Sequence, residues 1–370
     1  MHVSVLGGGL AGSLLAWRLA QQPDVDRVTV APGAARHQDA TAASGGAVRG
    51  YETEARQRRL AIDSLTELLA DDRLRDWAGY TQTGSLYRPE DTGPVEAGAA
   101  EVSAALPDSV RLLSADELRQ RGWAGDDLEG SGVVAVEERQ AGYLDPERLR
   151  GRVLADLAGR DDVELLPDGA VTDLAPGTFS LAGVRHAADV LVLATGAWTP
   201  ALLRAQGWDS NGLRTKAIQY TIFGINGWRP GTFVDEVSGL YGKPAGDGQL
   251  LGLPTQAWDV EPDGLEPDGA LSDAVFELAQ RRFPRLRLVT GRQPVAALDC
   301  YSTDSLLALR PVPGHGDQLF TFTGGSGGAA KTVLAASAGA AARLASGAEP
   351  TATTTVWDHR RSEIANEHQH

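Results

Sequence analysis

The chain opens with VSVLGGGLAGSLLAWRLAQ, residues 3–21: a short apolar run, a glycine cluster, then apolar residues at helical spacing. No other stretch restricts the fold as much. Residues 3–6 read as a strand and residues 13–20 as a helix, and Gly7, Gly9 and Gly12 between them fit G-x-G-x-x-G. Gly7 permits the tight turn, Gly9 lets backbone approach a pyrophosphate, and Gly12 lets the helix pack closely on the strand, which leaves the phosphates at the helix N-terminus. A glycine-rich turn in an ordinary α/β unit is the plainer alternative. Strand, turn and helix in this order favour a dinucleotide.

The second strand, VTVA at residues 28–31, ends at Pro32, where a dinucleotide fold usually places an acid on the adenosine ribose. Proline offers no carboxylate and no N–H; Arg36, His37 or Gln38 just beyond could reach the same sugar. Residues 39–50 are small and flexible, and residues 52–70 have helical spacing, with Leu60, Leu65 and Leu68 on or near one face. Between residues 80 and 138, short strands such as SLYR mix with a helix at 115–121. An Asp-Pro signal starts a helix over residues 143–157, and short strands are expected at 163–166 and 170–174. ADVLVLATGAWTP, residues 188–200, reads as a buried parallel strand ending in a Thr-Gly turn, the place where doubly wound sheets meet their ligand. Residues 213–300 are β-rich apart from a helix at 272–283. Residues 318–345 return to strand, glycine turn and helix: QLFTFT, GGSGG, AAKTVLAASAGAAARLA.

At 370 residues, 42% hydrophobic and 22% charged, the chain can bury a large core. No apolar run approaches the roughly 20 residues of a membrane span. A strand beginning almost at Met1 leaves no room for a secretory signal, so a cytoplasmic location is expected. The net charge of −15 argues against nucleic acid as a partner. Cys300 is the one cysteine, and the seven histidines show no metal-ligand spacing, His368 and His370 reading as a frayed tail, so no metal site is expected. Nothing in the sequence bears on oligomeric state.

The order of motifs resembles the flavin-dependent D-amino acid oxidase superfamily, especially its sarcosine and glycine oxidase branch. The matching pieces are LGGGLAGSLLAWRLA, ASGGAVRGYETE, GYLDPERL, VLVLATGAWTP, YGKPAGDGQLLG and TDSLLALRPVPG followed by TGGSGGAAK, which span most of residues 1–345. The resemblance implies an α/β, two-lobed protein: a glutathione-reductase-like FAD-binding Rossmann domain (residues 1–80, 143–212 and 301–350), a mixed β-sheet substrate domain (81–142 and 213–300) and a tail (351–370). It implies that Gly7, Gly9 and Gly12 hold the FAD pyrophosphate, that Ser44 and Gly45 approach the flavin, that Val171 contacts the adenine end, and that Thr195 and Gly196 lie along the cofactor. Gly324, Gly325, Gly327 and Gly328 would run beside the flavin ring, with the next helix N-terminus stabilising charge at its pyrimidine edge.

By the same resemblance, Arg49 and Lys331 form a substrate carboxylate clamp; two solvated surface cations are the alternative. Relatives tether FAD through a cysteine in a C-x-Y-T string, but in DCYSTDS Cys300 is one residue out of register. One residue of slip in a strand turns a side chain to the other face, so covalent FAD at Cys300 stands against an inert buried thiol. The oxygen-activating lysine of sarcosine oxidases falls near Leu250 and Leu251, with Lys243 as a displaced substitute, and Gly328 stands where many members carry a histidine.

The expected reaction is oxidation of an amino-acid-like amine, a primary or secondary α-amine beside a carboxylate, to an imine by hydride transfer to flavin N5, with O2 or another acceptor reoxidising the flavin. The partner is thus a small molecule. Tyr51, Tyr241 and Trp258 are candidates for the pocket wall, Tyr241 and Lys243 standing with Arg49 and Lys331 as catalytic candidates. Other readings are a flavin monooxygenase of related fold, for which the sequence offers no second G-x-G-x-x-G, and a catalytically silent flavoprotein or scaffold subunit.

Overall fold

A computed structural model describes residues 1–33, 39–128, 132–261 and 265–347. Arg36, His37, Gln38 and the tail at 351–370 lie outside the described residues.

The first strand, His2–Leu6, is central in a six-stranded sheet. Its neighbours on one side are Arg27–Ala31 and then Val163–Leu165; on the other are Val190–Leu193, Leu319–Thr323 and Ala308–Pro311. All pair in parallel except Ala308–Pro311, which runs antiparallel on the edge. Val3, Val5, Val28, Val30, Leu191 and Val192 are almost wholly buried, as parallel strands covered on both faces must be. The first helix, Leu10–Leu19, starts inside the glycine motif, three residues before the expected position, because Gly9 itself is its N-cap. The C-terminal helix Ala329–Ser346 packs against both this helix and the helix Ala55–Ala70. Its small side chains allow the close approach. The helix Pro146–Ala158 begins as its Asp-Pro signal requires: Asp145 caps it by accepting from Arg148 N at 3.0 Å.

The second large sheet has eight strands, in the order Leu288–Tyr301, Arg214–Ile225, Gly248–Gly252, Tyr241–Ala245, Phe233–Asp235, Ser85–Arg88, Val133–Glu138 and Val110–Ser114. It is mixed: Phe233–Asp235 pairs in parallel with Ser85–Arg88 and the other ladders are antiparallel. A buried ionic network pins the helix Gly269–Arg282 to it. Arg282 reaches Asp235 at 3.0 Å and grips Asp127 at 2.9 and 3.0 Å, while Arg88 contacts the same two carboxylates. The helix Val95–Ala105 has no counterpart in the sequence reading, since its Ala- and Gly-rich string VEAGAAEVSAA carries little apolar periodicity. Two three-stranded sheets complete the fold among the described residues. Among the described residues no helix is long and apolar enough to cross a membrane.

Candidate active site

Four adjacent parallel strands, ending at Leu6, Ala31, Leu193 and Thr323, direct their carboxyl ends into one cavity of about 1130 Å³. The eight-stranded sheet supplies the opposite wall through Lys216, Tyr220, Tyr241, Lys243 and Leu250. This volume exceeds the roughly 300–1,000 Å³ of an ordinary small-molecule pocket and suits a dinucleotide with a substrate beside it.

The glycines divide by what surrounds them. Gly7 has φ +122°, and a Cβ there would lie 2.2 Å from Ala194 O; a Cβ on Gly12 would lie 2.0 Å from Gly7 O. These two serve the packing of turn, strand and helix. Gly9 differs, because its added Cβ would meet only Thr41 Oγ1, at 3.3 Å, and it lines the cavity. Gly9 has no side chain to cap the first helix, but Thr41 Oγ1 accepts from Leu10 N at 3.0 Å, so one N–H of this helix end is engaged and an anion would meet the remaining N–H groups of the first turn. The C-terminal helix also starts without a side-chain cap, at Gly328, and Ala329 and Ala330 line the same cavity. Two helix N-termini therefore bring their positive ends to one space.

Ser44, Gly45, Val171, Thr195, Gly196, Gly325, Gly327 and Gly328 also line it, as do Arg49, Lys331, Tyr241 and Lys243. Gly12 and Gly324 do not; a Cβ on Gly324 would run into Ser302 Cβ at 2.8 Å, so its glycine serves the turn behind the wall. Tyr51 is wholly buried and stacks edge-on against Tyr87, which makes it core rather than pocket wall. Trp258 packs edge-on against Tyr301 outside the lining.

Cys300 requires a correction. Asp299 and Tyr301 face the cavity, and the residue between them points the other way, into an apolar cluster with Leu6, Leu191 and Leu193. The one-residue slip decides this, and burial pushes the thiol up to about 12. Cys300 is not placed to attach a cofactor in this cavity.

Asp299 takes the register that faces the cavity. Its carboxylate accepts from Gly327 N at 2.8 Å and Cys300 N at 2.7 Å, and so anchors the glycine turn; burial raises its pKa. Lys216, paired across the ladder with Asp299, lies 4.5 Å from the Trp258 ring and 5.2 Å from the Tyr301 ring, and burial lowers its pKa. The sequence reading missed both, although alternation about Cys300 would have exposed Asp299. It also missed Asp168, which lines the cavity next to Gly169, whose N–H reaches Gly33 O at 3.3 Å. A carboxylate thus stands beside the end of the second strand despite Pro32.

Arg49 and Lys331 come from segments far apart in the chain and meet at Glu52. Arg49 Nη2 and Lys331 Nζ each lie 2.8 Å from Glu52 Oε1. Arg49 Nε donates to Tyr51 O at 3.1 Å, and its guanidinium sits 4.6 Å from the Tyr87 ring. Burial lowers the Lys331 pKa and Glu52 opposes that shift. Among the described residues no group of three or more His, Cys, Asp and Glu side chains is arranged to hold a metal ion.

Comparison with known proteins places this architecture. The profile of the D-amino acid oxidase family, described as FAD-dependent oxidoreductase, matches residues 2–344. Methylenetetrahydrofolate-tRNA-(uracil-5-)-methyltransferase of Anaeromyxobacter sp. (strain Fw109-5) is 30% identical over 196 residues, 53% of this chain and 34% of that protein, so the chain spans about a third of that relative's length. Among solved structures, glycine oxidase from Geobacillus kaustophilus superposes with a TM-score of 0.69 at 18% identity, covering 97% of this chain and 96% of that one. L-proline dehydrogenase from P. horikoshii gives 0.76 at 16% identity, covering 95% of each. At these identities the two structures speak to the fold.

Proposed function

This chain belongs to the family of FAD-dependent oxidoreductases, and we propose that it oxidises an amino-acid-like amine, a primary or secondary α-amine beside a carboxylate, to the imine. The observation that carries this reading is the pair Arg49, which is buried, and Lys331, whose side chain is 13% exposed, both in the wall of the cavity that also receives the glycine turns.

The residues present fit FAD. Gly9 and the first turn of the first helix would hold the pyrophosphate, with Gly7 and Gly12 shaping the turn; Asp168 would accept a ribose hydroxyl and Val171 would meet the adenine. Ser44, Gly45, Thr195, Gly196, Gly325, Gly327 and Gly328 would line the remainder. FAD, when bound, supplies the two-electron acceptor.

The protein's own part is orientation. Arg49 offers a planar fork and Lys331 a point charge to the substrate carboxylate, which fixes the α-carbon relative to the glycine turn. No histidine lines the cavity among the described residues, which suits a substrate that enters with its amine already neutral. Tyr241 donates its hydroxyl to Gln219 O at 3.0 Å, so it contributes a ring face to the pocket. The final acceptor is O2 or another oxidant, with Lys243 as the cation nearest in role to an oxygen-activating lysine.

The test is anaerobic titration of the purified yellow protein with primary and N-alkyl α-amino acids. Bleaching of the flavin band by one of them is expected. Bleaching by NADPH with none by any amino acid would overturn the proposal.

A further inference from the structure

Glu52 lies behind the two cations rather than beside the ligand space. Arg49 and Lys331 line the cavity and Glu52 does not, yet its Oε1 is the atom both cations share, at 2.8 Å from each. The two cationic nitrogens are therefore within twice that distance of each other. All three groups are buried, with side-chain exposures of 7, 5 and 13% for Arg49, Glu52 and Lys331. Two like charges so close and so dry need a counter-charge, and Glu52 supplies it.

Two further carboxylates lie behind the cluster; their charges act on Arg49, and that of Glu236 on Lys331, which adds to the cost of a second incoming carboxylate, but neither is in ion-pair contact with the two cations among the described residues. Glu138 accepts from Gly50 N at 2.8 Å and Tyr51 N at 2.9 Å, and Glu236 takes the Tyr87 hydroxyl and Glu90 N. The cluster in direct contact thus carries two positive charges and one negative. One incoming carboxylate makes it neutral. A second would leave a buried negative excess, which a dry site rejects more strongly than it would reward the extra contact.

Resting on the clamp reading above, we infer that Glu52 is a specificity-determining residue: an internal carboxylate that occupies half of the Arg49–Lys331 pair and limits the site to substrates presenting one carboxylate to it. It acts through the two cations, so it is a positioning and charge-setting group rather than a catalytic one.

The experiment uses holoprotein and two small probes, acetate and malonate, with dissociation constants from calorimetry and from perturbation of the flavin spectrum. Wild type is expected to bind acetate more tightly than malonate. Glu52→Gln, nearly isosteric, leaves two uncompensated cations and should tighten malonate binding by about tenfold, reversing the order. Glu52→Gln combined with Lys331→Gln returns the cluster to one net positive charge and should restore the preference for acetate, an outcome that a merely structural role for Glu52 would not produce. An unchanged acetate-to-malonate ratio in Glu52→Gln, with acetate binding lost in Lys331→Met, would overturn the role of Glu52 and leave the clamp standing. Unweakened acetate binding in both Lys331→Met and Arg49→Ala would overturn the clamp, and this inference with it. Malonate preference in the charge-restored double variant would also overturn it.

Discussion

Lys243 stands directly opposite Leu250 in the antiparallel pairing of Tyr241–Ala245 with Gly248–Gly252. Directly opposed residues share a sheet face, so both side chains reach the cavity, and a Cβ on Gly45 would lie 3.8 Å from Lys243 Cε. The neighbouring strand thus brings a cation to the cavity wall beside Leu250. Burial lowers its pKa while Asp145 opposes the shift, and its Nζ rests 4.1 Å from the Tyr143 ring. Lys243→Met is expected to slow reoxidation of the reduced holoprotein by O2 about tenfold, ~1.4 kcal/mol of barrier. Stopped-flow mixing of photoreduced protein with aerated buffer measures it, and equal rates would remove Lys243 from that role.

The glycine motif predicts two separable phenotypes. Gly12→Ala drives a methyl group into Gly7 O, a backbone atom that cannot swing away, and should cost about 3 kcal/mol or more in denaturant unfolding. Gly9→Ala meets only the Thr41 hydroxyl, so apoprotein stability should stay within about 1 kcal/mol of wild type. Its FAD affinity should nonetheless fall by about tenfold or more, because the methyl group occupies the approach to the helix N-terminus. Normal flavin affinity in Gly9→Ala would relocate the pyrophosphate.

Carboxylate binding should weaken as pH rises. Burial holds Lys331 below the ordinary lysine pKa of about 10.4, and a bound carboxylate favours its charged form. Affinity is then highest while free Lys331 is protonated and declines as pH passes through its lowered pKa, with proton uptake on binding in that window. Acetate titrations across this range measure the slope. In Lys331→Arg the slope should vanish, since guanidinium does not titrate there.

Cys300 should be inert in the native protein. With the thiol raised to about 12 by burial, almost none is thiolate at neutral pH, and the side chain is inaccessible. A chromogenic disulfide reagent should react only after unfolding, and Cys300→Ala should keep its full flavin content. Flavin remaining on acid-precipitated wild type but not on the variant would contradict this.

The ionic network beneath the eight-stranded sheet should be a stability determinant. Asp235 is fully buried and contacts Arg88 at 3.5 Å and Arg282 at 3.0 Å, so Asp235→Asn strands two guanidinium groups with Asp127 alone and should cost about 3–5 kcal/mol. Asp127→Asn should cost less, since Asp127 is a third exposed. Hydrogen bonds from Arg282 hold Asp127 well below the usual carboxylate range, so its contribution is present above that range and lost on acidification. Midpoints of urea unfolding at neutral and acidic pH would show both effects.

Much of the glycine-lined wall of the cavity is legible in the chain because its determinants are local. A turn with positive φ favours glycine, as at Gly7, Gly324 and Gly327, and the G-x-G-x-x-G and GGSGG strings declare themselves without any partner. The same holds for Asp145 before its helix. Cys300 marks the limit: alternation told that one residue decides the face, but the register of Leu288–Tyr301 against Arg214–Ile225 decided that Asp299 and Tyr301 face inward.

What tertiary structure alone decided is the charge balance around Arg49 and Lys331. Arg49 and Glu52 lie in one segment and Lys331 near the other end of the chain, and only the packing of the C-terminal helix against the first units brings Lys331 Nζ to Glu52 Oε1. Nothing in the local sequence of Glu52 distinguishes it from a surface acid. Coulomb interactions depend on separation in space and on burial, and a chain read in order contains neither.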